Sequence, residues 1–334
     1  MIECILTIDY EIYGNGEGSL KELVYDPAVI LIDLFQKYNV RFVPFIEVAE
    51  LEIIENKTTD STIEAIKQQI RYFYKNGFEL GLHLHPQWYN AKFDKGRWLL
   101  DYREYNLCTL SKERIVQIIE RSLNYLRSVL GTADFLPFSF RAGNWLFQPT
   151  QQIASILSKH GIKIDSSVFK GGLQNQHHLD YRASLNNGYY WRFKDDVNKP
   201  DERGEMLEIP IYTDMVPPWK MATKKRLGLQ QKAAINSKTL QEKIYKLMDI
   251  ARPLHPLKLD FCRMTLEELK DMMNKLIKED QQVSQSYKPI VAIGHTKDLI
   301  DIDTVKHFLS YLKQEEIGIV TFAEAYKNAN RIND

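Results

Sequence analysis

Short apolar runs alternate along the chain with longer segments whose apolar residues recur at helical spacing. That order is expected of βα units wound around a mainly parallel sheet or barrel. The pattern predicts strands near 3–9, 41–46, 78–84, 135–141, 162–165, 206–212, 257–261, 289–294 and 317–321. Between them it predicts helices near 27–38, 60–76, 111–130, 148–159, 238–251, 265–279, 301–314 and 322–329. The stretches TDSTIEAI (59–66) and LSKERIVQII (110–119) carry Ser, Thr or Asp caps with a carboxylate close behind, which places helix starts there. Residues 170–205 are polar, rich in Gly and Asn and weakly periodic, so they read as a long loop excursion on one domain spanning 1–334.

In barrels and open α/β sheets alike, pockets form at the carboxyl ends of the strands. Five predicted strands end in TIDYEIYG, GLHLHP, SFRAGNW, KIDSS and AIGHTKD. They deliver Asp9, Glu11, His83, His85, Arg141, Asp165 and His295 to one end of the sheet. Side chains two apart on a strand share a face, so His83 pairs with His85 and Asp9 with Glu11. Two imidazoles and a carboxylate form the three-ligand set of a catalytic divalent metal, zinc foremost, with cobalt, nickel or iron as alternatives. Arg141 closes an apolar run, and a guanidinium buried there needs a carboxylate partner, for which Asp9 is the candidate. Tyr13, Trp88, Tyr89 and Trp145 lie near these motifs and could offer flat faces to a sugar ring.

Composition narrows the field. The chain has 334 residues, 44% apolar and 26% charged, enough for a large core. Its 44 basic and 44 acidic residues balance, which argues against nucleic acid as a partner. The most basic stretch, KMATKKRLG (220–228), reads as a solvated loop or helix start. Cys4, Cys108 and Cys262 are far apart and form no CxxC pair, so neither a disulfide framework nor a zinc knot is expected. The amino terminus runs straight into a strand pattern, and no apolar stretch of about 18 residues occurs. A cytoplasmic protein without a membrane span is expected, and the oligomeric state is open.

The ordered set TIDYE, HLHP, RAGNW, IDSS and IGH resembles the polysaccharide deacetylase family, carbohydrate esterase family four or the NodB-homology domain. The match is to a divergent branch, similar to deacetylase-like proteins of surface-polysaccharide gene clusters. Where the family carries adjacent aspartates this chain has Tyr10 and then Glu11, and its histidines are two rather than four residues apart. The resemblance implies a distorted (β/α) barrel of about seven parallel strands. It further implies Asp9 as general base, His83 and His85 as metal ligands, and Arg141 orienting the base; Glu11 is the candidate third ligand by its chemistry rather than by alignment, with Asp9 as the alternative. His295 would be the catalytic acid, with Asp165 holding its imidazolium. The implied activity is metal-dependent removal of an N-acetyl or O-acetyl group from a sugar or polysaccharide precursor. Three alternatives stay open: a catalytically inactive carbohydrate-binding protein on the same fold, a metal-dependent amidohydrolase, and a glycosidase-like hydrolase working through two carboxylates.

Overall fold

The computed structural model describes residues 1–221, 252–283 and 286–331. The helix predicted at 238–251 and residues 222–228 of the basic stretch lie outside them. The central sheet contains β1 (Ile2–Tyr10), β2 (Val43–Glu47), β3 (Gly81–Leu84), β4 (Ser139–Ala142), β5 (Ile164–Asp165), β6 (Trp191–Phe193), β7 (Met206–Glu208), β8 (Lys288–His295) and β9 (Gly318–Ile319). Their order is β6-β7-β5-β4-β3-β2-β1-β8, and β9 pairs with the first half of β1, before β2 joins it. All pairings in this sheet are parallel except β6 with β7. Single-residue bridges draw its ends together, Ile211 with Phe169 and Val291, and Asp260 with Ile293. The result is the distorted barrel expected from the sequence, with β1–β5, β7 and β8 as its parallel staves.

Parallel staves covered by helices are buried on both faces, which is why β1 and β8 are near-continuous apolar runs, CILTI and PIVAI. The helices α1 (Asp26–Lys37), α2 (Val48–Lys57), α3 (Ile63–Lys75), α4 (Lys112–Leu130), α5 (Gln151–Lys159), α6 (Leu266–Gln282), α7 (Ile302–Gln314) and α8 (Phe322–Arg331) follow the predicted pattern except for α2. Ser111 caps α4 through the Arg114 amide, Gly131 ends it at φ 66°, and Thr265 and Glu268 cap α6 reciprocally. Helix α2 leaves β2 without a turn, because the Glu47 side chain both closes the strand and accepts the Glu50 amide. Residues 170–205 are not structureless. They hold the short antiparallel pair Leu173–Gln174 and Leu179–Asp180, and then β6. No helix among the described residues is long and apolar enough to cross a membrane.

Candidate active site

The parallel register assembles the site. Asp9 stands level with His295 across β1 and β8, and Glu47, His83 and Arg141 stand level across β2, β3 and β4. One step past β1, Glu11 turns toward β3. Asp9, Glu11, His83, His85, Arg141 and His295 are thus brought together, all buried.

Glu11 Oε2 lies 3.4 Å from His83 Nε2 and 3.0 Å from His85 Nε2. One ligand atom from each of Glu11, His83 and His85 lies within 4.8 Å of the others, close enough for a single divalent ion to reach all three. Supporting bonds point the same way. His83 Nδ1 is 2.8 Å from the Arg141 carbonyl, which takes its proton and leaves Nε2 with a lone pair. His85 Nδ1 faces the side-chain amides of Gln87 at 3.1 Å and Asn144 at 3.2 Å, and its backbone N–H donates to Glu47 Oε2 at 2.8 Å. The second oxygen of Glu11 accepts from Lys297 Nζ at 2.6 Å. Burial works against the Glu11 carboxylate, yet Lys297 and the two histidines hold its pKa well below the usual range. Burial also opposes charge on His83, but Asp9 and Glu11 overcome it and push its pKa up to about 9. A divalent cation would displace that proton, and the donor set fits one.

Asp9 accepts from Arg141 Nη1 at 2.5 Å, the partnership the sequence suggested. Arg141 also donates to the Ser166 carbonyl at 3.0 Å and lies 4.1 Å above the Phe45 ring. Burial alone would raise the Asp9 carboxyl, but Arg141, His83 and His295 hold it below its ordinary pKa. His295 sits between two carboxylates, with Nε2 3.4 Å from Asp9 Oδ2 and Nδ1 3.5 Å from Asp298 Oδ2.

Two expectations need correction here. Asp165 does not hold His295. Its carboxylate accepts from the Ser167 amide and hydroxyl at 3.1 and 2.7 Å and lies against Glu208, its level partner on β7. Asp298, three residues after His295, takes that place. Nor is His295 held charged at rest, because burial pushes its pKa down to about 4 despite both carboxylates.

Among the aromatic candidates, Trp88 is 0% exposed and packs edge-on to Trp98 at 5.1 Å, so it is core rather than a sugar face. Tyr89 is likewise buried, hydrogen-bonded to Ser122. Tyr13 is partly buried at the site margin, its ring 6.0 Å from Lys297 Nζ. Trp145 stands edge-on to His295 with ring centres 6.4 Å apart. Its loop is strained, with Asn144 at φ 55° and Trp145 at φ 60°, conformations that persist at sites only where packing imposes them. Tyr181, from the excursion, pins the loop by donating to the Trp145 carbonyl at 2.7 Å and accepting the Phe147 amide at 3.1 Å.

Sequence reasoning passed over Glu47, Lys297, Asp298, Gln87 and Asn144. Lys297 and Asp298 had a signal, since both follow His295 directly in GHTKD. Glu47 lay one residue past the predicted end of β2.

No family model matches the sequence, and no curated protein matches it. Solved structures do resemble it in shape. A protein assigned as a polysaccharide deacetylase from Mycobacterium smegmatis superposes with a TM-score of 0.56 at 11% identity, over 99% of this chain and 91% of that one. Another so assigned, from Pseudomonas aeruginosa, gives 0.51 at 11% identity over 99% and 91%. A branching enzyme from the archaeon Thermococcus kodakaraensis, solved with glucose, gives 0.55 at 10% identity over 98% and 71%. These likenesses define the fold, one seen in the polysaccharide deacetylases and in this branching enzyme.

Proposed function

We propose that the chain is a metal-dependent hydrolase that removes an acetyl group, N-linked or O-linked, from a sugar or polysaccharide precursor. The observation that carries this reading is the convergence of Glu11 Oε2 on His83 and His85 Nε2, at 3.4 and 3.0 Å, beside the Asp9–His295 pair. Glu11, His83 and His85 would hold the ion, zinc foremost, with cobalt, nickel or iron as alternatives. Bound there, a divalent ion supplies polarisation of the acetyl carbonyl and acidification of water.

The chain's own groups supply the proton path. Asp9, fixed by Arg141, accepts the proton of the attacking water at Oδ2. His295 Nε2, 3.4 Å away and neutral at rest, takes that proton and delivers it to the departing sugar nitrogen or oxygen. Asp9 and Asp298 on its two sides stabilise the imidazolium while it lasts. Three free, buried cysteines support a cytoplasmic setting and hence a precursor substrate.

The test compares metal per chain and acetate release from N-acetylated oligosaccharides for the native protein, His83→Ala and His85→Ala. The native chain is expected to hold about one equivalent of metal and release acetate, and both variants to lose metal and activity together. A folded native chain that stays metal-free in excess zinc would sink the reading. One observation favours a second reading, a sugar-binding protein without turnover: Lys297 already places a cation 2.6 Å from Glu11. That reading predicts sugar binding indifferent to chelators. The two-carboxylate glycosidase alternative has less support, because Asp165 is committed to Ser167 and Glu208.

A further inference from the structure

Charge at the site is paired with little left over. Asp9 faces Arg141 at 2.5 Å, Glu11 faces Lys297 at 2.6 Å, and Asp298 faces Arg263 at 2.6 Å, so these three carboxylates each have their own cation, while Glu47 is bonded to the amides of Glu50 and His85. Lys258 breaks this pattern. It ends the strand His255–Lys258, paired with Thr213–Val216, just before the chain bridges β8 through Asp260 and Ile293. Its ammonium lies 3.3 Å from the centre of the Trp145 ring and 4.5 Å from that of Phe169, and Trp145 is the ring standing against His295. No ion pair or hydrogen bond joins the Lys258 ammonium to any described residue.

The charged groups around it are Asp260, Arg263, Asp9 and Arg141. Asp260 spends one oxygen capping the amides of Cys262 and Arg263, and the others are in the pairs above. Burial consequently pushes the Lys258 pKa down to about 7, as befits a cation short of a counter-charge. A ring face holds an ammonium without neutralising it, leaving its donors free for a guest.

We propose that Lys258 is a specificity-determining residue that receives an anionic group, carboxylate or phosphate, carried by the acetylated sugar itself or by its immediate neighbour. This inference rests on the hydrolase reading for the identity of the substrate as an acetylated sugar, but its binding step stands apart from turnover. Trp145, with Lys258 on one face, then serves as the wall that holds the ammonium rather than as a stacking platform on that side. Lysine is suited to the task because its donors turn to meet tetrahedral phosphate or planar carboxylate.

The experiment measures binding by calorimetry, and acetate release separately, on the metal-loaded full chain. The probes are N-acetylglucosamine, N-acetylglucosamine 1-phosphate and N-acetylmuramic acid, and the variants are Lys258→Gln and Lys258→Arg. The native chain is expected to prefer at least one anionic probe over the neutral sugar by roughly 10- to 100-fold, the worth of one charge-assisted hydrogen bond. The phosphate and carboxylate probes separate the two sources of charge. Gln is expected to erase the preference while leaving affinity for the neutral sugar nearly unchanged, and Arg to retain most of it. Equal affinity of the native chain for all three probes overturns the proposal without any variant, and so does an undiminished preference in a folded Lys258→Gln. Anion selectivity that depends on Lys258 without acetate release from any probe supports this assignment while refuting the hydrolase reading.

Discussion

Asp165 and Glu208 are two fully buried carboxyls on neighbouring strands, and they show what a single ionisable pair does to the molecule. Burial pushes Asp165 up to about 6, against its bonds from Ser167 and Glu208, and burial reinforced by Asp165 raises Glu208 well above its ordinary value. Raised carboxyl pKa values mean that the folded chain keeps protons that the unfolded chain releases above pH 4. Stability from this pair is therefore complete in acid and declines as pH rises through 4 to 6 and beyond. Glu208→Gln fixes one partner in its neutral form. Unfolding free energies at pH 5 and pH 7 are expected to lie closer together in the variant than in the native chain by roughly 1–3 kcal/mol. An unchanged gap would mean that the pair carries no proton in the folded state. Asp165 is unfit for the role suggested by its IDSS motif because its carboxyl is bonded to the amide and hydroxyl of Ser167 and buried against Glu208.

At the scale of elements, close approach of backbones sets the geometry. A Cβ on Gly81 would lie 2.5 Å from the Phe45 ring, the ring beneath the Arg141 guanidinium. A Cβ on Gly143 would lie 2.5 Å from the Leu84 carbonyl and 2.8 Å from the His85 ring. Gly143→Ala must displace either the strand end or a proposed ligand. It is expected to cost roughly 1–3 kcal/mol of stability and to weaken zinc affinity by about 10- to 100-fold, both readable by zinc titration and thermal melting. Unaltered affinity in the variant would mean that the strand end at Leu84, and not the His85 ring, gives way.

The strands that hold this geometry were legible because an apolar run ending in a polar residue is a strong local signal. GLHLHP and TIDYE fall where their strands end. Helix α2 was not legible, since VAELEIIENK follows β2 without a turn residue and its cap, Glu47, lies on the strand itself. Trp88 was misjudged because an aromatic residue three past a ligand can point into the core as readily as into a pocket. Lys258 could be placed only once the chain following the strand His255–Lys258 bridged β8 through Asp260 and Ile293.

Across the whole molecule, the site ties together strands that are distant in sequence. Glu11 follows β1, His83 and His85 come from β3 and its end, and Lys297 and Asp298 follow β8, which pairs with β1 from Ile2–Lys288 to Asp9–His295. A ligand that bridges the ends of β1 and β3 binds only when the barrel between them is closed, so it stabilises the native state by mass action. At a free zinc concentration about 100 times the dissociation constant this amounts to ~2.7 kcal/mol. For a chain of 334 residues that raises the melting temperature by about 4 °C. His83 must give up its proton to ligate, and its pKa of about 9 makes apparent affinity climb with pH across the neutral range. The expected result is a chelator-reversible rise in melting temperature that is larger at pH 8 than at pH 6 and absent in Glu11→Gln. Were zinc to leave the melting curve unmoved at both pH values, Lys297 would be the only cation Glu11 needs, and the barrel would serve to bind sugars rather than to cleave their acetyl groups.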